Sequence, residues 1–171
     1  MEGYIRSIRD EAVNAPAAVC AISLIALATA YVSQYWGGLQ PCSLCLLQRY
    51  PYFAVIPMSG LAYLFAREVP RNSYTNLFMI LCALAMFTGA GIAGYHVGVE
   101  YGWWAGPDTC ASAVAGSGSV EDELRAMQQA AIVRCDEVQW ALFGVSMAGY
   151  NFITSIFLGA ISMFAVVKSR G

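Results

Sequence analysis

The sequence is poor in charge. Only 12% of its 171 residues are charged, against 58% hydrophobic. A soluble domain carries about a quarter charged residues, so an ordinary water-soluble fold is excluded. Disorder is excluded as well, because it needs low hydrophobicity and high charge. Base is not in excess: 9 Lys+Arg stand against 11 Asp+Glu, a net charge of -2, which leaves no electrostatic footprint for nucleic acid. Histidine occurs once, as His96, so there is no histidine cluster to hold a metal. The sequence also lacks a phosphate-binding loop and a Ser-His-Asp constellation. Its length suits a single domain, 1–171.

What is present is long uncharged runs. No Asp, Glu, Lys or Arg occurs in 12–48, 50–66, 72–99 or 138–167. A helix crosses a bilayer with roughly 20 apolar residues, and about 17 is the short limit. Four transmembrane helices are expected, at about 16–35, 46–66, 74–97 and 141–167. Gly37, Gly38 and Pro41 stop the first of them. Arg6, Arg9 and the Ala28-Thr29-Ala30 triplet also fit a cleaved leader, but the apolar run continues through Tyr31, Val32, Tyr35 and Trp36, as a retained helix does.

Basic residues set the expected orientation. Four spans leave both ends and the middle loop on one side, with Arg6, Arg9, Arg67, Arg71, Lys168 and Arg170. The opposite side has Arg49, Arg125 and Arg134. Both termini are therefore expected in the cytoplasm, with extracytoplasmic loops at 36–45 and 98–140. Aromatic residues gather at these loop ends (Tyr31, Tyr35, Trp36, Tyr101, Trp103, Trp104, Trp140), as in an interfacial belt. Within the long loop, Val120, Leu124, Met127 and Ala131 recur at helical spacing, with acids and Arg125 opposite. This pattern predicts an amphipathic helix, either lying on the membrane surface or exposed in the loop with no membrane contact. The fold class is thus all-α, an integral membrane four-helix bundle.

The six cysteines divide by position. Cys20 and Cys82 fall inside expected spans and read as packing residues. Cys42, Cys45, Cys110 and Cys135 all fall in the two extracytoplasmic loops, in a compartment that permits disulfides. Cys42 and Cys45 form a C-x-x-C, a spacing that tends to depress a thiol's pKa, at the start of the second helix, where unpaired N–H groups favour a thiolate. Arg49 is four residues on, on the same helical face. There it either stabilises a thiolate or a polar oxygen or snorkels to the interface. Cys110 and Cys135 form either a structural brace worth about 3 kcal/mol or a redox pair that exchanges with the C-x-x-C. A zinc site is disfavoured by the spacing, and no metal is expected.

These motifs resemble the bacterial disulfide bond formation protein B family, DsbB. The resemblance rests on Gln40-Pro41-Cys42-Ser43-Leu44-Cys45 with Arg49, on Cys135-Asp136-Glu137-Val138-Gln139-Trp140, and on the order of the cysteines. The related vitamin K epoxide reductase group has its loop cysteines before the C-x-x-C. The DsbB resemblance implies an inner-membrane thiol:quinone oxidoreductase that reoxidises a periplasmic DsbA-type thiol oxidase and reduces ubiquinone or menaquinone. It further implies that Cys110 meets the partner, Cys135 exchanges with Cys42, and Cys45 faces the quinone as a thiolate beside Arg49. A DsbI-type relative serving a dedicated partner has the same signature. A non-catalytic scaffold braced by two disulfides is the rival from another class.

His96, near the extracytoplasmic end of the third helix, is either a quinone-side residue, as the resemblance suggests, or a packed histidine. Glu100, four residues on, reads as a loop-edge carboxylate. Gly91, Gly94, Gly98 and Gly102 form a small-residue stripe expected to serve close helix packing.

Overall fold

A computed structural model describes residues 2–69, 73–107 and 134–170, with side chains from Val13 to Ser169. Cys110 and the expected surface helix of the long loop lie outside the described residues. Among the described residues, five helices and one hairpin follow in order: α1 (Glu2–Tyr35), α2 (Ser43–Leu47), α3 (Tyr50–Glu68), α4 (Ser73–Glu100), β1 (Ala141–Leu142), β2 (Val145–Ser146) and α5 (Met147–Arg170). The four long helices pack as a bundle. α4 lies at its centre against α3 and α5, and α1 packs on α3 and α5.

The bundle is apolar on the outside. Ile25, Leu64, Leu84, Phe157 and Phe164 are exposed, whereas Ser23, Ser59, Ser155 and Ser162 are buried. This inverts the soluble pattern and suits a lipid surround, where small polar residues let helices approach closely. α1 from Val13, α4 and α5 are long and apolar enough to cross a membrane. α3 does not reach that measure: it carries three tyrosines and two prolines and ends on Arg67-Glu68.

Three element boundaries differ from expectation. α1 does not begin near Pro16 but runs from Glu2 with Pro16 inside it. It ends where predicted: the carbonyls of Val32 and Ser33 are taken by the N–H groups of Trp36, Gly37 and Leu39, and Gly38 adopts φ 67°. The expected helix over 46–66 is two helices. Pro51 has no N–H to offer the carbonyl of Leu47, so the chain breaks at Gln48-Arg49 and restarts. The last helix does not begin at 141. Residues 141–146 form an antiparallel hairpin, Ala141 opposite Ser146 and Leu142 opposite Val145. Phe143 (φ 51°) and Gly144 (φ 78°) make the turn, the pairing of positive φ values that suits a two-residue hairpin.

The glycine stripe has more than one use. Gly94 lies under Phe152, and Gly98 under Trp104, whose ring would stand 2.0 Å from an added Cβ. Trp104 is fixed there by a bond from its indole N–H to the carbonyl of Tyr95 (2.9 Å) and by stacking on the Tyr95 ring. Gly91 has open space beside it, and Gly102, at φ 69°, turns the chain after α4.

Candidate redox site

α2 presents the C-x-x-C. Cys42 is its N-cap, and its sulfur accepts the Cys45 backbone N–H at 3.3 Å, the bond that Ser or Asp usually makes at such a position. The two sulfurs are 3.2 Å apart as free thiols. His96 Nε2, from α4, lies 3.6 Å from the Cys42 sulfur. The Cys42 sulfur is thus surrounded by the Cys45 backbone N–H, the Cys45 thiol and the His96 ring. Hydrogen bonding from Cys45, and then from His96, outweighs burial and lowers the Cys42 pKa from 9.0 to about 4. The Cys45 thiol is pushed up, first by its bond to Cys42 and then by burial. These shifts favour Cys42 as the thiolate of the reduced pair, whereas the resemblance places it on Cys45.

Cys135 closes the site from the other loop. It is buried and held in a disulfide. Its sulfur, the Cys42 sulfur and a ring nitrogen of His96 all lie within 4.8 Å of one another. A disulfide sulfur carries no thiolate charge, so in this state the trio suits thiol exchange rather than metal ligation. Leu44 and Val99 pack with Cys42 and Cys135 in a small apolar cluster. The Ser43 hydroxyl is 3.7 Å from the Cys135 sulfur.

The other candidates fall into place around this centre. Glu100, expected at a loop edge, is partly buried: its side chain is 7% exposed, 4.0 Å from His96 Nε2, and accepts a bond from the Ser146 hydroxyl at 2.5 Å. The β1–β2 hairpin supplies that hydroxyl. Arg49 turns toward α1, where it donates to Gln34 Oε1 at 2.7 Å and lies over the Tyr31 ring, 4.8 Å from its centroid. It lines the same cavity as Cys45 without bonding its sulfur. Cys20 and Cys82 lie away from the site, their thiols facing the carbonyls of Ile56 and Val55.

Sequence reasoning missed Gln48 and Asn151. Gln48 is buried. Its Nε2 donates to His96 Nδ1 at 2.7 Å, and its Oε1 accepts from Asn151 Nδ2 at 2.5 Å. The Tyr52 hydroxyl donates to Asn151 Oδ1 at 2.5 Å and lies 3.4 Å from the Ser155 hydroxyl. A polar residue in each apolar helix was the available signal.

A cavity of about 480 Å³ opens beside the C-x-x-C. Its polar end holds Cys45, Arg49 and His96, and its apolar wall is built from α1 by Ile22, Ile25 and Ala26.

The profile of the disulfide bond formation protein DsbB matches residues 13–165. The chain belongs to the DsbB family. The disulfide bond formation protein B of Nitrosococcus oceani is 27% identical over 90% of this chain and 88% of its own. That of Aromatoleum aromaticum is 25% identical over 81% of this chain and 82% of its own. A Rickettsia prowazekii protein named only as uncharacterized protein RP370 is 30% identical over 94% of this chain and 92% of its own. No solved structure matches the chain. DsbB membership implies an oxidoreductase role in disulfide bond formation. Together with the three apolar helices it indicates a multi-pass inner-membrane protein.

Proposed function

We propose that this DsbB-family protein is a thiol:quinone oxidoreductase that reoxidises a periplasmic DsbA-type dithiol oxidase. The observation that carries the reading is the placement of Cys42, from one loop, beside the disulfide sulfur of Cys135, from the other, within 4.8 Å. Two braces would not need to converge. Two exchanging pairs must.

The route runs through sulfur. A partner thiolate attacks Cys110 of a Cys110–Cys135 disulfide, and Cys135 leaves as a thiolate. Cys135 attacks Cys42 of the oxidised C-x-x-C, and Cys45 leaves as a thiolate. The partner's second thiol resolves the mixed disulfide on Cys110. Closing the Cys110–Cys135 bond again releases Cys42, and both electrons then reside on the Cys42/Cys45 dithiol. The form described here, with free Cys42 and Cys45 and a disulfide at Cys135, matches that stage.

The cavity beside Cys45 fits a quinone. Its volume of about 480 Å³ lies in the range of small-molecule sites. Arg49 supplies donors for a ring oxygen, His96 lines the same cavity, and Ile22, Ile25 and Ala26 supply an apolar surface for an isoprenoid chain. When bound, the quinone accepts the two electrons and two protons of the dithiol and leaves as the quinol. Cys45 presents the sulfur, Arg49 holds negative charge beside it, and His96 supports Cys42. Both termini face the cytoplasm in this reading, and the redox loops face the periplasm.

The test is quinone reduction by purified protein given a reduced DsbA-type partner and a soluble ubiquinone or menaquinone analogue, followed by absorbance. Turnover is expected, and it vanishes in Cys45→Ser and in Cys110→Ser. Absence of turnover with both quinones in folded protein returns the four cysteines to structural braces.

A further inference from the structure

We propose that Tyr52, Asn151 and Gln48 form a positioning relay that sets which nitrogen of His96 carries its proton, and so aims an N–H at the sulfur of Cys42. The relay starts from a hydroxyl and runs in one direction. Tyr52 donates to Asn151 Oδ1, Asn151 donates to Gln48 Oε1, and Gln48 donates to His96 Nδ1. The Ser155 hydroxyl also donates to Asn151 Oδ1, at 3.5 Å. A nitrogen that accepts a hydrogen bond carries no proton. His96 must then hold its proton on Nε2, which faces the Cys42 sulfur at 3.6 Å and Glu100 at 4.0 Å. The backbone carbonyl of Cys135 is a further acceptor beside the ring.

The three relay residues come from the end of α2, from α3 and from α5. α3 brings Tyr52, the Pro51 break turns Gln48 inward, and α5 brings Asn151. Gln48 and Tyr52 are buried and Asn151 is partly buried, and a satisfied buried network holds one arrangement. The relay touches no reacting atom. It acts on Cys42 through His96, and it rests on the exchange role proposed for Cys42.

The relay has readouts separate from turnover. His96 is the only histidine, so 15N-labelled imidazole in the full-length protein in detergent reports it alone. The expected spectrum shows a bare Nδ1 and a protonated Nε2. The second readout is the pH profile of Cys42 alkylation, resolved by peptide mass. The groups facing Cys42 are Cys45 on its own helix, His96 and Glu100 from α4, and disulfide-bonded Cys135. Asn151→Leu leaves the Gln48 amide free to turn. It is expected to mix the two tautomers and to raise the Cys42 midpoint by about one pH unit. Tyr52→Phe keeps the ring in place, removes only the first donor, and moves both readouts the same way by less. It decides the matter where Asn151→Leu does not fold. Asn151→Gln or Asn151→Asp restores an acceptor for Tyr52, and Asn151→Gln also restores the donor for Gln48, so Asn151→Gln alone brings the tautomer back.

A protonated Nδ1 in the unaltered protein overturns the relay. So does an unchanged tautomer and midpoint in Tyr52→Phe. Loss of turnover with the tautomer intact counts against the proposed function and leaves the relay standing.

Discussion

The Cys42 sulfur stands within 4.8 Å of the Cys135 sulfur, although 92 residues separate Ser43 and Cys135 across the same contact. A disulfide needs sulfurs about 2 Å apart, so a small movement of either loop joins them. This proximity links the two cysteine pairs and makes exchange testable one sulfur at a time.

Removing Cys45 should trap that link. In Cys45→Ser the Cys42 thiolate has no partner within its own motif and attacks Cys135. Non-reducing peptide mapping should show a Cys42–Cys135 disulfide as the main product, with the Cys110 thiol free to alkylation. A map in which Cys42 stays unpaired removes the direct exchange.

The charge on Cys42 predicts a pH profile. A pKa lowered to about 4 keeps the thiolate above that pH and loses it below. Iodoacetamide labelling of Cys42 should therefore stay level from neutral pH downward and fall only near pH 4, with Cys45 unlabelled throughout because its pKa is raised. Labelling of Cys42 that falls already below pH 8 means an ordinary thiol.

Arg49→Ala should weaken quinone use more than partner binding. Arg49 lines the cavity but its bonds go to Gln34 and Tyr31. Losing a charged donor costs about 1.5–3 kcal/mol, so KM for the quinone analogue should rise roughly tenfold to a hundredfold, with KM for the reduced partner unchanged. Equal KM values for the quinone in both proteins take Arg49 out of the site.

Gly98→Ala should destabilise the loop after α4. Trp104 would meet the new methyl at 2.0 Å and has to leave its place on Tyr95. A cost of about 1–3 kcal/mol is expected, read as a lower Tm, while Gly91→Ala, beside open space, leaves Tm unchanged. Equal Tm values for the two variants remove the packing role.

Cys20→Ser/Cys82→Ser should keep turnover with all four loop cysteines present. Both thiols face backbone carbonyls inside the bundle, away from the cavity. Measured turnover lost in a folded double variant gives one of them a part in electron transfer.

Much was legible before the fold. Low charge and uncharged runs at 12–48, 72–99 and 138–167 mark three helices that are long and apolar enough to cross a bilayer. The order of the cysteines marks the family, which the profile match over 13–165 shows. Both signals are local: hydropathy is summed along one helix, and C-x-x-C lies within one turn. The sequence also marks Gly37-Gly38 as the end of α1, because a positive φ at Gly38 is a local demand. Only the tertiary structure decided which side chains share the site. The Glu100 side chain is covered where the hairpin of residues 141–146 offers Ser146, and Arg49, at the break between α2 and α3, bonds Gln34 of α1. Gln48 and Asn151, 103 residues apart, bond each other because the bundle brings the end of α2 against α5 and sets two amides side by side. No spacing rule along one chain encodes that pairing; burial in a bundle imposes it.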